Sequence, residues 1–302
     1  MLPLVYHDKY SFSFDQGHRF VMSKFHLLYE YLQNRSMISN NLFNSPGARL
    51  EDLSIAHEEA YLENLNAGTV EPKAWRRVGL PWSRSLIERS FISPSGTLLA
   101  ARLALKYGVA AHLAGGTHHA HYGFGSGFCL VNDLAYTALE LLDKGEVEKV
   151  LIFDLDVHQG DGTAAILKDE PRAFTCSIHC EKNFPFQKQQ SDLDIGLEVG
   201  LGDSAYLEIV EKNLTDLLEN FKPSIVLYDA GVDVWQGDGL GRLSLSLDGI
   251  KARDELVLKH CLQRDIPVAT VIGGGYDEDH HRLAQRHAIV VEQAASVLAG
   301  LG

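Results

Sequence analysis

The sequence of 302 residues is poor in cysteine, has no long uninterrupted apolar run and has few basic side chains for its size. Its four cysteines, Cys129, Cys176, Cys180 and Cys261, form no CxxC pair and no disulfide framework. We therefore expect reduced, mostly buried thiols in a cytoplasmic protein. No window approaches the roughly 18 apolar residues of a membrane span, and the N-terminus lacks the basic-then-apolar build of a signal peptide.

The shortage of basic residues limits the classes of partner that the chain can bind. There are 27 Lys and Arg against 40 Asp and Glu, a formal net charge of −13. A nucleic-acid surface requires clusters of Lys and Arg, which are not found here, so we expect no direct nucleic-acid partner. Repeats and low-complexity linkers are also missing, which predicts one domain over residues 1–302.

Helix and strand patterns alternate regularly from residue 93 onward. Apolar runs predict strands at 109–113, 150–154, 174–178, 224–228 and 267–272, and intervening segments predict helices at 95–107, 132–143, 203–221, 247–261 and 281–298. Pro94 is read as the start of the first of these helices, and 180–202 as a long loop. Earlier we expect a strand at 4–6, helices at 22–32 and 53–65, and a connector over 66–93. The alternation predicts an α/β fold with a mostly parallel sheet.

One stretch, VLIFDLDVHQGDGT at 150–163, concentrates chemistry at the end of a predicted strand. Asp154, Asp156, His158 and Asp161 fall within eight positions of it. Buried acids are costly unless they are paired or hold a cation. The i, i+2 spacing places Asp156 and His158 on one side of an extended segment, a start for a zinc site. The alternative is a capped turn with solvated acids.

Polar side chains follow three further predicted strands. His118 and His119, Asp233, and Tyr276 each stand just after an apolar run. Because the carboxyl ends of parallel strands share one edge of the sheet, these groups would meet in one crevice with Asp156. Taken singly, each has a plainer explanation. The two histidines could be exposed loop residues, and Tyr276 could be a core aromatic. Asp233 could cap the next segment, with Asp238 as the alternative functional acid.

Four ordered motifs then carry a resemblance. GGTHHAHYGFGSGFCLVND, FDLDVHQGDGT, YDAGVDVWQGDGLGRLSLS and VIGGGY are similar to motifs of the histone deacetylase family, in its compact bacterial and class IV form. The resemblance covers most of the chain. It implies the arginase/deacetylase fold, a single α/β domain with a central, mostly parallel sheet of about eight strands flanked by helices. It also implies a zinc-dependent hydrolase that removes the acyl group from an acylated lysine of a protein or from a related small acylated amine.

The resemblance also implies roles for individual residues. The metal ligands would be Asp156, His158 and Asp233, binding one Zn²⁺ with water in the open position. The catalytic group comprises the histidine pair, with the second histidine as general base and acid, the two acids that orient them and the tyrosine that donates to the substrate carbonyl: His118, His119, Asp154, Asp161 and Tyr276.

Further residues are assigned by the same resemblance to substrate and structure. Gly127 and Phe128 would line the acyl-lysine channel, with Phe186 as the opposing aromatic and Leu240 as a further channel residue. A structural K⁺ is expected near Asp154, Asp156, His158, Ser177 and Ile178. Val21 departs from the proline common in bacterial relatives, and the acidic rim residue that holds the peptide backbone in class I enzymes has no counterpart.

Two other functions fit the pattern less well. Ureohydrolases of the arginase type share the fold and use two manganese ions, but they read D-x-H-x-D where this chain has D-x-D-x-H. An inactive acyl-group binding protein would not need the complete set of ligands, histidines and tyrosine. Acyl-chain length, oligomeric state and the choice between Zn²⁺ and Fe²⁺ are left open by the sequence.

Overall fold

One sheet of eight strands forms the centre of the computed structural model, which describes residues 1–15 and 17–300. The strand order is β2-β1-β3-β8-β7-β4-β5-β6, and every pairing is parallel. The strands are β1 Leu4–Tyr6, β2 Leu42–Asn44, β3 Val109–His112, β4 Val150–Asp154, β5 Ala173–Cys180, β6 Leu193–Leu197, β7 Ile225–Asp229 and β8 Val268–Val271. The predicted single α/β domain with a parallel sheet of about eight strands is confirmed.

Helices flank this sheet in two groups. Helices α5 and α6 pack together, whereas α1 packs on α10 and α10 on α9, which in turn contacts α8. The helices are α1 Lys24–Asn34, α2 Leu50–Leu53, α3 Glu59–Ala67, α4 Pro72–Val78, α5 Arg84–Tyr107, α6 Asp133–Asp143, α7 Asp161–Leu167, α8 Asp203–Asn220, α9 Leu247–Leu262 and α10 His280–Gly300. Within the described residues no helix is long and apolar enough to cross a bilayer.

The central strands are buried along their whole length. Every residue of β3, β4, β7 and β8 is buried, as expected for parallel strands that are covered on both faces. Their side chains are therefore apolar at nearly every position rather than at every second one. Burial of each large aliphatic side chain contributes about 1.5–3 kcal/mol of transfer free energy, which fixes these strands as the rigid base of the loops that follow them.

The proline in the first long helix is not at its start. Helix α5 begins at Arg84, ten positions before Pro94, so the predicted start at Pro94 is wrong. The Ser83 side chain caps the helix by accepting a hydrogen bond from the backbone N–H of Leu86 at 3.1 Å. An interior proline costs about 3 kcal/mol. Burial of the helix's long apolar face, from Leu86 to Ala104, offsets that cost.

Other segments also differ from the sequence-based prediction. The helix expected over 53–65 is two helices, α2 and α3, separated by the buried His57. The segment read as a loop after Cys180 contains the edge strand β6, in which only Leu197 is buried. Strand β2 is likewise a short edge strand with no fully buried residue. An edge strand pairs with only one other strand and is less covered by the rest of the protein. It therefore lacks the continuous apolar run by which the central strands were recognised.

Candidate active site

Five neighbouring strands deliver the predicted functional residues to one edge of the sheet. In sheet order they are β3, β8, β7, β4 and β5. The loop after β3 carries the two histidines, the loops after β8, β7 and β4 carry the tyrosine and the expected metal ligands, and the loop after β5 carries an aromatic wall. This is the crevice beyond the carboxyl ends of parallel strands at which α/β proteins bind ligands.

The three expected metal ligands lie together in the interior. One donor atom from each of Asp156, His158 and Asp233 lies within 4.8 Å of the others, and all three residues are buried. His158 Nδ1 is 2.9 Å from Asp156 Oδ1 and 3.2 Å from Asp233 Oδ2. Apart from this ring nitrogen, Asp233 Oδ2 has no polar partner among the described residues, although Asp233 is fully buried. Two carboxylates and one imidazole converging on one point suit a divalent cation such as zinc.

Backbone amides hold the two carboxylates in place. The N–H of Val157 donates to Asp233 Oδ1 at 2.9 Å, and the N–H of Gly274 donates to Asp156 Oδ2 at 2.7 Å. A Cβ atom on Gly274 would lie only 2.0 Å from Asp233 Oδ2. Only glycine lets the loop after β8 approach the carboxylates this closely.

The electrostatics of the cluster favour positive charge at this point. Burial lowers the pKa of His158, but the carboxylates of Asp156 and Asp233 outweigh burial and raise its pKa to about 10. The direction of this shift indicates that the two buried carboxylates attract a cation. These three residues, with the two histidine–aspartate pairs beside them, are called the floor of the site below.

Each of the adjacent histidines is paired with its own aspartate. His118 Nδ1 lies 2.7 Å from Asp154 Oδ2, and His119 Nδ1 lies 2.6 Å from Asp161 Oδ1. Their rings are 4.2 Å apart between centroids. A carboxylate on Nδ1 holds the proton on that nitrogen and leaves Nε2 available to act on a substrate or water. His121, which the sequence analysis did not single out, shares the second aspartate through Nε2 at 2.9 Å.

The two histidines have opposite protonation tendencies. Burial lowers the pKa of His118, but the carboxylates of Asp154 and Asp156 outweigh it and raise the pKa well above its usual value. Burial together with the charge of His118 lowers the pKa of His119 to about 4. His118 therefore holds a proton more tightly than His119, and the neutral form of His119 is the one that accepts a proton.

A buried hydrogen-bond network supports the loop that carries these histidines. His57 bridges two ends of that loop: its Nδ1 donates to the carbonyl of His121 at 3.0 Å, and its Nε2 accepts from the N–H of Asn132 at 2.8 Å. Asp133 accepts from the N–H of Thr117 at 2.7 Å. The sequence analysis missed His57 as part of the site because it lies 61 positions before His118 in an acid-rich segment without any motif.

A narrow channel leads from the surface to the floor. Its cavity of about 390 Å³ is lined by Phe128, Gly127, Leu240 and Tyr276 together with His119 and His158. A Cβ atom on Gly127 would lie 2.5 Å from His119 Cδ2, and the residue has a φ of +51°. Glycine is therefore required here both for the conformation and for the width of the channel.

Two phenylalanines of the loop after β5, Phe184 and the expected Phe186, line the cavity together with Phe128. The Phe184 ring stands edge-on to His119 with centroids 4.9 Å apart. Phe186 also lines the cavity but lies at its mouth with 94% of its surface exposed. In the segment NFPF the two phenylalanines are two positions apart, and only the path of the loop after β5 decides which of them turns inward.

Tyr276 stands at the end of the channel beside the expected metal ligands. Its ring centroid is 5.9 Å from that of Phe128 and 6.4 Å from that of His158. Burial and the carboxylates of Asp233 and Asp156 raise the pKa of the phenol well above its usual value, so it stays a hydrogen-bond donor. Asp238, the competitor of Asp233 in the sequence, positions this loop instead, because it accepts from the N–H of Tyr276 at 2.8 Å.

A buried lysine behind the floor carried no sequence signal. Lys24, in the first turn of α1, donates from Nζ to the carbonyl of Gly273 at 3.1 Å and is 2% exposed. Burial lowers its pKa to about 8, although Asp233 and Asp156 act in the opposite direction. In the sequence it reads as the solvated residue of an amphipathic helix.

A second group of possible ligands lies next to the first. Donor atoms of His118, Asp154 and Asp229 are within 4.8 Å of one another. Asp229 ends β7, is fully buried, and neither of its carboxylate oxygens has a hydrogen-bond partner among the described residues. Asp229 is an acid that was not singled out in the sequence. Asp229 could have been recognised from the sequence, because it opens the DAGVD motif that ends in the expected ligand Asp233.

Comparison with known proteins agrees with this geometry. Residues 18–293 match the family model described as the histone deacetylase domain. The chain is 48% identical to an uncharacterised protein of Picosynechococcus sp. over 98% of this chain and 99% of that one. It is 29% identical to histone deacetylase 2 of Arabidopsis thaliana, covering 93% of this chain and 76% of that one. It is also 29% identical to the acetoin utilization protein AcuC of Staphylococcus aureus, over 82% and 69% of the two chains.

A solved structure has the same fold. The HD domain of HDA15 superposes with a TM-score of 0.81 at 19% identity and covers 99% of this chain and 91% of its own. At this identity the similarity establishes the architecture alone. The family match over most of the chain, the parallel sheet and the histidine and aspartate motifs at its edge lead to one conclusion: the chain belongs to the histone deacetylase family of hydrolases.

Proposed function

We propose that the protein is a zinc-dependent deacylase that hydrolyses the amide of an acylated lysine or of a related acylated amine. The observation that carries this proposal is the convergence at the end of one narrow channel of three buried ligands, two histidine–aspartate pairs and a tyrosine. The aromatic walls of the channel fit a linear aliphatic chain, and the polar groups at its end fit an amide.

Asp156, His158 and Asp233 would hold the metal. The fit rests on the three converging donor atoms and on the unpartnered Asp233 Oδ2. A zinc ion held there supplies Lewis-acid polarisation of the substrate carbonyl and lowers the pKa of water to about 7. Three protein ligands also leave a fourth position open, as in catalytic rather than structural zinc sites.

His119 is the proposed general base. Its neutral imidazole has Nδ1 bound to Asp161 and Nε2 free to take a proton from the attacking water. The same nitrogen would then return the proton to the departing amine. His118 beside it, whose pKa is raised by the carboxylates of Asp154 and Asp156, would favour positive charge where negative charge develops on the substrate.

Tyr276 is the proposed donor to the substrate oxygen. Its phenol stays protonated at neutral pH and lines the channel end together with His119 and His158. A donor placed where charge develops is commonly worth about 10² to 10³ in rate. Phe128 and Phe184 would hold the aliphatic chain of the substrate between them, with Leu240 nearer the mouth.

A structural potassium ion is proposed beside the floor, held by carbonyls of Asp154, Asp156 and His158 with Ser177 and Ile178. Strands β4 and β5 place Asp154 directly opposite Ser177. The turn hydrogen bonds among the described residues here use the carbonyls of Val157 and Gln159 and leave those of Asp156 and His158 free. Thermal unfolding should then occur at a higher temperature in potassium than in sodium chloride of equal concentration.

One observation favours a second candidate function, the two-manganese ureohydrolase. The unpartnered Asp229 with His118 and Asp154 offers donors for a second ion. Against it, His118 Nδ1 already pairs with Asp154 at 2.7 Å. The channel is also walled by aromatic rings, which suit an aliphatic chain. Two manganese ions per chain would favour the ureohydrolase, and one zinc or iron ion the deacylase.

The proposal is tested with the purified protein and a peptide containing acetyl-lysine. We expect acetate release that stops on chelation and returns when Zn²⁺ or Fe²⁺ is added back, and the better of the two identifies the working metal. Binding of the peptide without any acetate release under all these conditions would instead indicate an acyl-group binding protein. Butyryl- and myristoyl-lysine peptides in the same assay establish the preferred acyl length.

The same proposal includes a cytoplasmic location. All four cysteines are free and buried, as is usual for proteins of a reducing compartment. Fractionation of source cells with an antibody against the chain would test it, with the expected signal in the soluble cytoplasmic fraction.

A further inference from the structure

The mouth of the channel is surrounded by cationic side chains. The cavity that contains His119, His158 and Tyr276 at one end is also lined by Arg19, Arg77, Lys182 and Arg242. All four are exposed. They come from four separate segments: the loop before α1, the last turn of α4, and the loops after β5 and β7. These four side chains are called the rim.

No acid compensates these charges. Among the described residues, none of the four rim side chains lies within 4.0 Å of a carboxylate, and no Asp or Glu lines the cavity. Elsewhere in the described part of the chain, most exposed arginines pair with an acid, as Arg102 does with Glu146 at 2.6 Å. The chain carries a net charge of −13, so four unpaired cations around one opening do not follow from a generally basic surface.

Acids also stand beside the rim, in an adjoining groove. Asp277 and Glu278 line that groove together with Arg19. Asp277 is already paired with Arg286 at 2.8 Å. Arg19 thus has a mixed environment, and the charge of the mouth itself is carried most clearly by Arg77, Lys182 and Arg242.

We propose that the rim binds carboxylates, so that the preferred substrate is an acylated amine bearing acidic groups just outside the channel. This inference rests on the deacylase function proposed above. The carboxylates can belong to Asp and Glu residues flanking an acyl-lysine, or to the free carboxylate of acyl-lysine itself. Acylated polyamines, which carry positive charge at the same place, would be repelled.

The rim should affect the binding of the substrate rather than the chemical step. Guanidinium groups match carboxylates with two parallel hydrogen bonds, and each exposed ion pair contributes a factor of about 1.5 to 5 in affinity. Several cations at one opening also raise the local concentration and the association rate of an anionic substrate. Salt weakens such contacts, because at physiological ionic strength exposed charges more than about 8 Å apart are largely screened from each other. The preference should therefore appear in KM and kcat/KM, leave kcat nearly constant and weaken as salt is added.

The experiment compares three acetyl-lysine peptides of equal length with the metal-loaded enzyme. Their flanking residues are Glu, Gln or Lys. At low salt we expect kcat/KM to fall in that order, by about tenfold or more from Glu to Lys, with the difference shrinking in about 1 M salt. Nε-acetyl-lysine against its carboxamide, and N-acetylputrescine, form the small-molecule arm. Fluorescence anisotropy of the labelled peptides measures affinity whether or not the amide is cleaved.

Charge-reversal variants locate the effect. Lys182→Glu and Arg242→Glu should each reduce the preference for the Glu peptide by about threefold or more, and together they should reverse it. Lys212→Glu is the matched control, because Lys212 is an exposed, unpaired cation on α8 that does not line the cavity. It should leave the order of the peptides unchanged.

The outcomes separate the two proposals. If no acetyl-lysine substrate is cleaved but the Glu peptide still binds most tightly, the deacylase function fails and the rim proposal stands. If all three peptides and the acetyl-lysine pair are cleaved or bound within twofold of one another, the rim proposal is overturned. An equal effect of Lys212→Glu and Lys182→Glu would overturn it as well. Discrimination confined to the small molecules would support carboxylate binding and identify a metabolite rather than a protein as its source.

Discussion

The floor and the rim of the same channel are built on opposite principles. On the floor every charged group is buried and most are paired at close range, as His118 is with Asp154 and His119 with Asp161. On the rim the charged groups are exposed, and within the described residues none of them is paired with a carboxylate. Where water is excluded, interactions between charges are strong and an unpaired charge is costly, so the loss of one partner on the floor cannot be tolerated. Single charges on the rim interact weakly because water surrounds them, so one can replace another. Changes on the floor should therefore be severe and changes on the rim graded.

The metal ligands should show the largest effect. We expect Asp156→Ala or His158→Ala to lose both the metal and the activity, because three protein ligands leave none to spare. Metal per chain, measured on the purified protein alongside acetate release, checks this. Asp248→Ala, which changes an acid with 92% of its side chain exposed, is the matched control and should keep both. Full zinc in either ligand variant would remove that residue from the site.

The proposed base comes next. His119→Ala should keep the metal and lose about 10² to 10⁴ in rate, the usual contribution of a general base. Turnover of an acetyl-lysine peptide is measured together with metal content. Near-normal turnover would move the role to His118, whose ring is 4.2 Å away.

Tyr276→Phe tests the donor to the substrate oxygen. The change removes one hydroxyl and little volume, so folding and metal content should be kept. Because the hydrogen bond forms mainly to the developing oxyanion, kcat should fall by about 10² to 10³ with little change in KM. An unchanged kcat would mean that the carbonyl is activated without the phenol.

The support beneath the floor should be sensitive to acid. Burial lowers the pKa of His57 from 6.5 to about 4, and its Nε2 accepts from the N–H of Asn132, so a proton there would break the contact. The stability that neutral His57 contributes is complete above pH 6.5 and is lost as the pH falls toward 4. Between pH 7 and 5 this amounts to about 2 kcal/mol.

Denaturant unfolding at the two pH values measures that contribution. His57→Gln should lower stability at pH 7 and should show about 2 kcal/mol less pH dependence than the wild type. His281→Gln, a change at an exposed histidine, serves as the control. Equal pH dependence in wild type and His57→Gln would show that His57 is not the acid-sensitive group.

The two phenylalanines of one loop give the smallest and most direct comparison of floor and rim. Phe184→Ala removes the ring that stands against His119 and should reduce kcat/KM by about three- to tenfold. Phe186→Ala, at a residue that is 94% exposed, should stay within about twofold of the wild type. The reverse order would return Phe186 to the channel wall.

The central strands and the residues at their ends could be predicted from the sequence. Strands such as β4 are continuous apolar runs because both faces are covered, and that pattern is visible without any structure. Parallel pairing then implies that the groups following them meet at one edge, so Asp156, His158 and Asp233 were associated from sequence alone. The edge strands β2 and β6 and the true start of α5 were not, since edge strands lack that pattern and tertiary burial overrides the local preference of Pro94.

The parts of the site that the sequence could not determine are those made by chain segments without a motif. Lys24, His57 and the four rim cations are scattered among ordinary surface patterns, and their meaning depends on which groups face them in three dimensions. The sequence by itself determined which charged residues gather on the floor, because buried charges must be specified by type and spacing. The tertiary structure decided the walls and the rim, because the role of an exposed charge depends on which groups lie near it in the folded chain.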